Sequence, residues 1–216
     1  MDAVIFDLDG VLLDSEPVWE EVRRGYVAEH GGHWLPDSQR RLMGMSTGEW
    51  ARYLSEELGV GVPPERVAAD VVGRMAERYA ARVPLIAGAP EVVRRLGARW
   101  PLGLASSSPP RLIAAALAAA GLSGAFRATI STEEVPRGKP APDVYLAVAQ
   151  RLGFPARRGA AIEDSSNGVR AAAAAGMRVL AVPTPEYPLD ADAADRATTV
   201  LSGLSEVTEE RIAALG

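Results

Sequence analysis

Two carboxylates one residue apart, Asp7 and Asp9, follow the short apolar run Ala3-Val4-Ile5-Phe6 and precede Gly10. Side chains at i and i+2 of an extended chain project to the same side, so these charges crowd unless a proton or a cation relieves them. A hard cation that prefers oxygen ligands suits such a pair, magnesium in particular, with phosphate oxygens completing its shell. A solvated Asp-Gly turn would also account for the dipeptide alone. A second acidic pair, Glu163-Asp164, comes directly after Ala160-Ala161-Ile162 and before Ser165-Ser166-Asn167-Gly168, where Asp164 and Ser165 equally suit a helix N-cap. Ser106-Ser107-Ser108 follow Leu102-Gly103-Leu104-Ala105 and lead into Pro109-Pro110. Hydroxyls and backbone N–H groups at a strand-to-helix turn can cradle a phosphate, and proline suits a first helical turn. The fourth point is Lys139, a cation between prolines in Gly138-Lys139-Pro140-Ala141-Pro142-Asp143, where a surface lysine is the ordinary reading.

These points fall where the pattern of elements would bring them together. The apolar runs Ala3 to Phe6, Leu102 to Ala105, Ala160 to Ile162 and Val179 to Val182, with a weaker one at Ala128 to Ile130, are too short for helices and read as strands buried on both faces. Helical patterns of crossover length lie between them at Arg111 to Ala120, Val144 to Leu152 and Val169 to Ala175. The alternation predicts an α/β fold with a doubly wound parallel sheet. In such a sheet the ends of the strands share one edge, so both acidic pairs, the serines and Lys139 converge. The stretch 15–83 breaks the rhythm. It reads as amphipathic helices punctuated by glycine and proline, with no buried strand. The expected organisation is therefore a core of residues 1–14 and 84–216 with a helical cap of residues 15–83 inserted into it, hinged near Leu12 to Ser15 and Val83 to Pro90.

Composition narrows the partners. With 23 basic against 28 acidic residues the formal charge is -5, which offers neither nucleic acid polymers nor anionic membranes an electrostatic reason to bind. At 48% hydrophobic the chain can bury a substantial core, and without cysteine it has neither disulfides nor thiolate chemistry. No stretch approaches the ~20 apolar residues of a membrane span. A cytoplasmic monomer or weak homodimer acting on a small molecule is the expectation.

Taken together, Asp7-Leu8-Asp9-Gly10-Val11-Leu12 with Asp14-Ser15-Glu16-Pro17, then Ser106, then Gly138-Lys139-Pro140-Ala141-Pro142, then Glu163-Asp164-Ser165, resemble the four motifs of the haloacid dehalogenase superfamily in family order. The likeness is to its branch of beta-phosphoglucomutases and sugar phosphatases with a helical cap. The resemblance implies a Rossmann-like core and hydrolysis of a small phosphorylated metabolite. It further implies Asp7 as nucleophile forming an aspartyl phosphate, Asp9 as general acid and base, and Ser106, Ser107 and Lys139 as phosphate ligands. Mg²⁺ would be held by Asp7, the Asp9 carbonyl and Asp164, with Glu163 a direct ligand or one step behind. Dehalogenating members lack the second aspartate, and phosphonate-cleaving members need a cap lysine absent from residues 15–83. A mutase would carry cations where this chain has Thr47 and Pro109, and a histidine where it has Trp19, so hydrolysis is favoured over the mutase. Gly44, Met45, Ser46, Thr47 and Trp19 are the expected substrate-selecting residues of the cap. A signalling receiver and a non-catalytic phospho-ligand binding module on the same fold are the readings from other classes; the position of Asp7 on the first strand opposes the former and the complete motif set the latter.

Overall fold

Short, wholly apolar strands have no polar face to turn to water, so both faces of the sheet they form must be covered. The structure, a computed structural model, describes residues 1–42 and 45–216. Its strands are β1 (Ala3–Phe6), β2 (Leu102–Ser106), β3 (Ala128–Ser131), β4 (Gly159–Glu163), β5 (Arg178–Ala181) and β6 (Thr199–Val200). They form one sheet in the order β3-β2-β1-β4-β5-β6 with every pairing parallel. On β1, Val4 and Phe6 enter one apolar core and Ile5 the other, so the strand alternates between two layers that are both dry.

Between β1 and β2 the chain makes α1 (Glu16–Glu29), α2 (Ser38–Leu42), α3 (Thr47–Arg52), a π-helical turn over Tyr53–Glu57, and α4 (Pro64–Ala81). No strand occurs in this stretch among the described residues. Its buried side chains Tyr26, Leu54, Val67 and Tyr79 belong to the same apolar cluster as Phe6 and Leu104. Where the stretch leaves and re-enters, the two backbones bond to each other: the Asp14 N–H donates to the Pro84 carbonyl at 2.8 Å and the Ile86 N–H to the Leu12 carbonyl at 2.9 Å. The predicted crossing points are thus one short antiparallel pair.

The remaining helices are α5 (Ala89–Gly97), α6 (Pro110–Ala119), α7 (Asp143–Leu152), α8 (Ser166–Ala174) and two short ones at Ala191–Ala194 and Glu209–Ala213. The helices expected at Arg111, Val144 and Val169 are present with slightly earlier starts, because Pro110 takes the first turn of α6 and the Ser165 side chain caps α8. The two short helices, α5 and β6 were not expected. α5 buries Ala89, Val92, Val93 and Leu96 on one face, a helical spacing hidden by the preceding Pro and Gly residues. β6 is a two-residue edge strand whose Val200 is half exposed, too short to show a pattern.

Packing this tight makes the two faces of one element unequal. Ile5→Ala, at a fully buried position, is expected to cost about 2–5 kcal/mol. Leu146→Ala, on the exposed face of α7, should stay within about 0.5 kcal/mol of wild type. Urea denaturation of the two variants checks the difference.

Candidate active site

Sheet register builds the site before any side chain does. Phe6 stands beside Leu104 of β2 and Ile162 of β4, so the next residues along, Asp7 just past β1, Ala105 within β2 and Glu163 at the end of β4, lie at one level. The Asp7 N–H donates to the Ile162 carbonyl at 3.0 Å, extending the ladder to the aspartate itself. β1 and β4 are also the pair at which the strand order reverses, the crevice where open α/β sheets bind their ligands.

Lys139, in the loop before α7, closes the gap between those strands. Its ammonium donates to Asp7 Oδ1 at 2.6 Å, to Glu163 Oε1 at 2.5 Å and to the Ala105 carbonyl at 3.1 Å, and its side chain is only 6% exposed. The Tyr145 hydroxyl of α7 also donates to Glu163 Oε1, at 2.8 Å. The other Glu163 oxygen accepts from the Ser165 N–H at 3.2 Å and the Ser165 hydroxyl at 3.1 Å. Ser165 Oγ in turn accepts from the Gly168 N–H at 3.1 Å, so the helix cap and the acidic site are one device. Glu163, fully buried, is thereby bonded at both oxygens.

Burial pushes the Asp7 carboxyl up to about 8, with the Glu163 and Asp9 charges adding to the effect and Lys139 opposing it. Burial, then Glu163 and Asp7, hold Asp164 well above the usual carboxylate range. For Lys139 burial works against the charge, but the Asp7 and Glu163 carboxylates outweigh it and keep the ammonium protonated. Tyr145 is raised by burial and by the same carboxylates, which keeps its hydroxyl a donor.

This cluster suits a divalent cation. Asp7, Glu163 and Asp164 bring carboxylate oxygens within 4.8 Å of one another. Were all three carboxylates ionised, one ammonium would leave 3 − 1 = 2 negative charges unanswered in a dry site, a charge that bound protons answer without a cation and a divalent cation answers with one. The backbone closes around these oxygens. Gly10 has φ +78°, and a Cβ there would lie 1.9 Å from Asp164 Oδ2, while one on Gly168 would lie 1.8 Å from Glu163 Oε1. An all-oxygen donor set is the hard kind that magnesium or calcium takes. The Asp9 carboxylate stands apart from this group. It accepts from the Ser15 hydroxyl at 2.6 Å and the Ser108 hydroxyl at 2.7 Å, so two neighbouring aspartates on one loop occupy two different environments.

A cavity of about 170 Å³ opens above the cluster. Asp7, Asp9, Ser107, Lys139 and Asp164 of the expected site line it, as do Trp19, Met45 and Thr47. Ser106 does not. It is fully buried and its hydroxyl accepts from the Ser108 N–H at 3.0 Å, while Ser107 and Ser108 face the cavity. Ser46 is exposed and spends its side chain as the N-cap of α3 in a reciprocal pair with Glu49. Gly44 lies outside the described residues. Residues that sequence reasoning missed are Ser108, Tyr145, Glu16 and Arg23. Ser108 was indistinguishable within a run of three serines. Tyr145 has the helical spacing of a core residue with Val144, Val148 and Ala149, and Arg23 sits in the basic pair Arg23-Arg24 that reads as helix surface.

Comparison with known proteins agrees with the geometry. A family model for haloacid dehalogenase-like hydrolases matches residues 1–176, and the chain belongs to that family, in its group of phosphatases. It is 34% identical over 212 residues to hexitol phosphatase B of Escherichia coli, covering 95% of this chain and 94% of that protein. It is 30% identical over 177 residues to the E. coli fructose-1-phosphate phosphatase YqaB, covering 81% and 92%. Among solved structures, CbbY from Rhodobacter sphaeroides in complex with phosphate superposes with a TM-score of 0.85 at 25% identity, covering 96% of each chain.

The acidic cluster has a thermodynamic signature. The folded state holds the Asp7 proton up to about pH 8, whereas the unfolded chain releases it near the ordinary value of 3.8. Metal-depleted protein should therefore lose stability as pH rises through that window. Thermal melts in EDTA are expected to show the decline, and added Mg²⁺ should raise Tm more at the alkaline end than at the acid end. A metal effect equal at both ends would contradict the assignment.

Proposed function

We propose that this protein is a Mg²⁺-dependent phosphatase of small phosphorylated metabolites, most suited to sugar or polyol monophosphates, that works through an aspartyl phosphate on Asp7. The observation that carries the reading is the buried Lys139 ammonium bridging Asp7 and Glu163 beneath the cavity, with Asp9 held separately by two hydroxyls. Asp7 and Asp164 are the carboxylates placed to hold Mg²⁺, and Glu163, bonded at both oxygens by Lys139, Tyr145 and Ser165, acts from behind by fixing Lys139. When bound, the cation supplies positive charge that keeps Asp7 ionised and neutralises phosphate oxygens.

The chain's own residues then divide the reaction. An Asp7 oxygen forms a bond to phosphorus as the ester P–O bond breaks, and Asp9, as general acid, gives a proton to the departing alkoxide. Water next attacks phosphorus and loses a proton to Asp9, and the Asp7 P–O bond breaks to release phosphate. Lys139, the Ser107 N–H and the Ser108 side of the loop meet charge on the transferring oxygens, the main demand of phosphoryl transfer. Residues 15–83 act as a cap on a core of 1–14 and 84–216, excluding water while the bond to phosphorus changes. The paired backbones at Asp14 and Pro84 are the hinge this requires. Among the described residues no helix is long and apolar enough to cross a membrane, and the cysteine-free chain fits the reducing cytoplasm.

Asp7→Asn removes the nucleophile while keeping shape, and phosphate release from a panel of sugar phosphates should fall to background with an unchanged circular dichroism melt. Lys139→Ala should lower kcat about 10²–10³-fold. Wild-type turnover in a folded Asp7→Asn protein would overturn the nucleophile assignment, and net conversion of beta-glucose 1-phosphate to glucose 6-phosphate without phosphate release would make the protein a mutase.

A further inference from the structure

The cavity holds a second cation that the chemistry above does not use. Arg23 lines it together with Glu16, Trp19 and Trp50. Glu16, Trp19 and Arg23 are spaced three and four residues apart, so they share one face of α1. The guanidinium carbon lies 4.4 Å from the Trp19 ring centroid and 5.2 Å from that of Trp50, and the two rings are 5.9 Å apart. A planar cation packed against two neighbouring indoles at once has a restricted aim.

What it aims at is missing from the protein. Arg23 is only 6% exposed, its buried Nε has no hydrogen-bond partner, and among the described residues no carboxylate comes within ion-pair distance of its guanidinium. Burial pushes it down to about 10 despite the nearby Glu16 and Asp9 charges. Buried donors are ordinarily satisfied, so a ligand is the natural partner. Glu16 is in a matching position. One of its oxygens accepts from the Gln39 amide at 2.8 Å, and the other has no hydrogen-bond partner among the described residues.

The identity of the pair decides what it reads. A lone buried guanidinium would call for an anion, but here a carboxylate lines the same cavity two turns earlier on the same helix. The two formal charges cancel, leaving a donor beside an acceptor. A second phosphate or a carboxylate would gain from Arg23 and be repelled by Glu16. Neighbouring hydroxyls, each able to donate and accept, satisfy both.

We propose that Arg23 and Glu16 are specificity-determining residues that bind a vicinal diol of the substrate, the guanidinium donating to one hydroxyl and the carboxylate accepting from its neighbour. This rests on the phosphatase reading above and selects phosphorylated polyols and sugars within it. The test compares kcat/KM for hexitol and sugar monophosphates with kcat/KM for ethyl phosphate, which has no hydroxyl group, in wild type, Arg23→Met and Glu16→Gln. Thermal melts identify any variant that fails to fold, and Glu16→Gln keeps the size of the side chain it replaces.

The ratio of polyol ester to ethyl phosphate is expected to drop roughly 10- to 100-fold in each folded variant, the worth of a hydrogen bond to a charged group, with the loss mainly in KM. An unchanged ratio, with both substrates falling together, would make the pair structural and overturn the proposal. Wild-type preference for bisphosphates or phosphorylated carboxylic acids over neutral polyol esters would also overturn it, in favour of an anion reader. Wild-type hydrolysis of ethyl phosphate without any preference for polyol esters would refute the diol site while leaving the phosphatase intact; silence on every ester would remove both.

Discussion

One buried ammonium holds the whole constellation in register. Among the described residues Lys139 is the single cation beside Asp7, Glu163 and Asp164, and each of its hydrogen bonds ties a different strand, through Asp7 just past β1, Ala105 of β2 and Glu163 of β4. Removing it would leave three carboxylates crowded out of water, an arrangement that costs several kcal/mol per uncompensated charge. The surroundings answer to that constraint. Tyr145 shares Glu163 Oε1 with Lys139, Ser165 bonds the oxygen that Lys139 leaves open, and Gly10 and Gly168 clear space that any Cβ would fill. The excess of negative charge that remains is the demand that a divalent cation meets.

The same edge separates two chemically identical side chains. Asp7 ends a ladder of backbone bonds and sits 8% exposed against an ammonium, while Asp9, two residues later, has turned into a loop and meets hydroxyls from Ser15 and Ser108. Covalent attack needs a carboxylate that stays ionised and fixed, and proton transfer needs one that can gain and lose a proton near solvent or substrate. The strand end supplies the fixed position, and the Gly10 turn carries Asp9 away from the acidic cluster to the two hydroxyls. Because Ser15 begins the helical stretch and Ser108 precedes α6, Asp9 is also the point where the stretch 15–83 and the sheet edge meet through side chains.

How much of this was legible in the amino-acid sequence follows from how local each signal is. The central strands were legible because a strand dry on both faces is an unbroken apolar run, and Asp7, Glu163 and Asp164 because each stands one or two residues past such a run. The convergence of Lys139 was legible only through topology, since it lies 132 residues from the aspartate it pairs with. The rest depended on tertiary contact. Nothing local separates Ser106, which turns inward, from Ser107 and Ser108, which face the cavity. Tyr145 has the spacing of an ordinary core aromatic, and Arg23 that of a surface arginine; the one hint was its position four residues after Trp19, where a cation and a ring can stack on a helix. β6, with a single pair of residues at the sheet edge, offers no periodicity to read.

The central claim is that Asp7 itself carries the phosphoryl group. The most direct measurement mixes enzyme, Mg²⁺ and a sugar phosphate, quenches in acid within the first turnover, and locates added mass by peptide mass spectrometry. A phosphoryl group on the peptide containing Asp7, absent from Asp7→Asn and accumulating in an Asp9→Asn protein whose second step is slowed, is the expected result. Turnover with no phosphorylated peptide at any quench time, or a phosphoryl group on another residue, would contradict the role of Asp7.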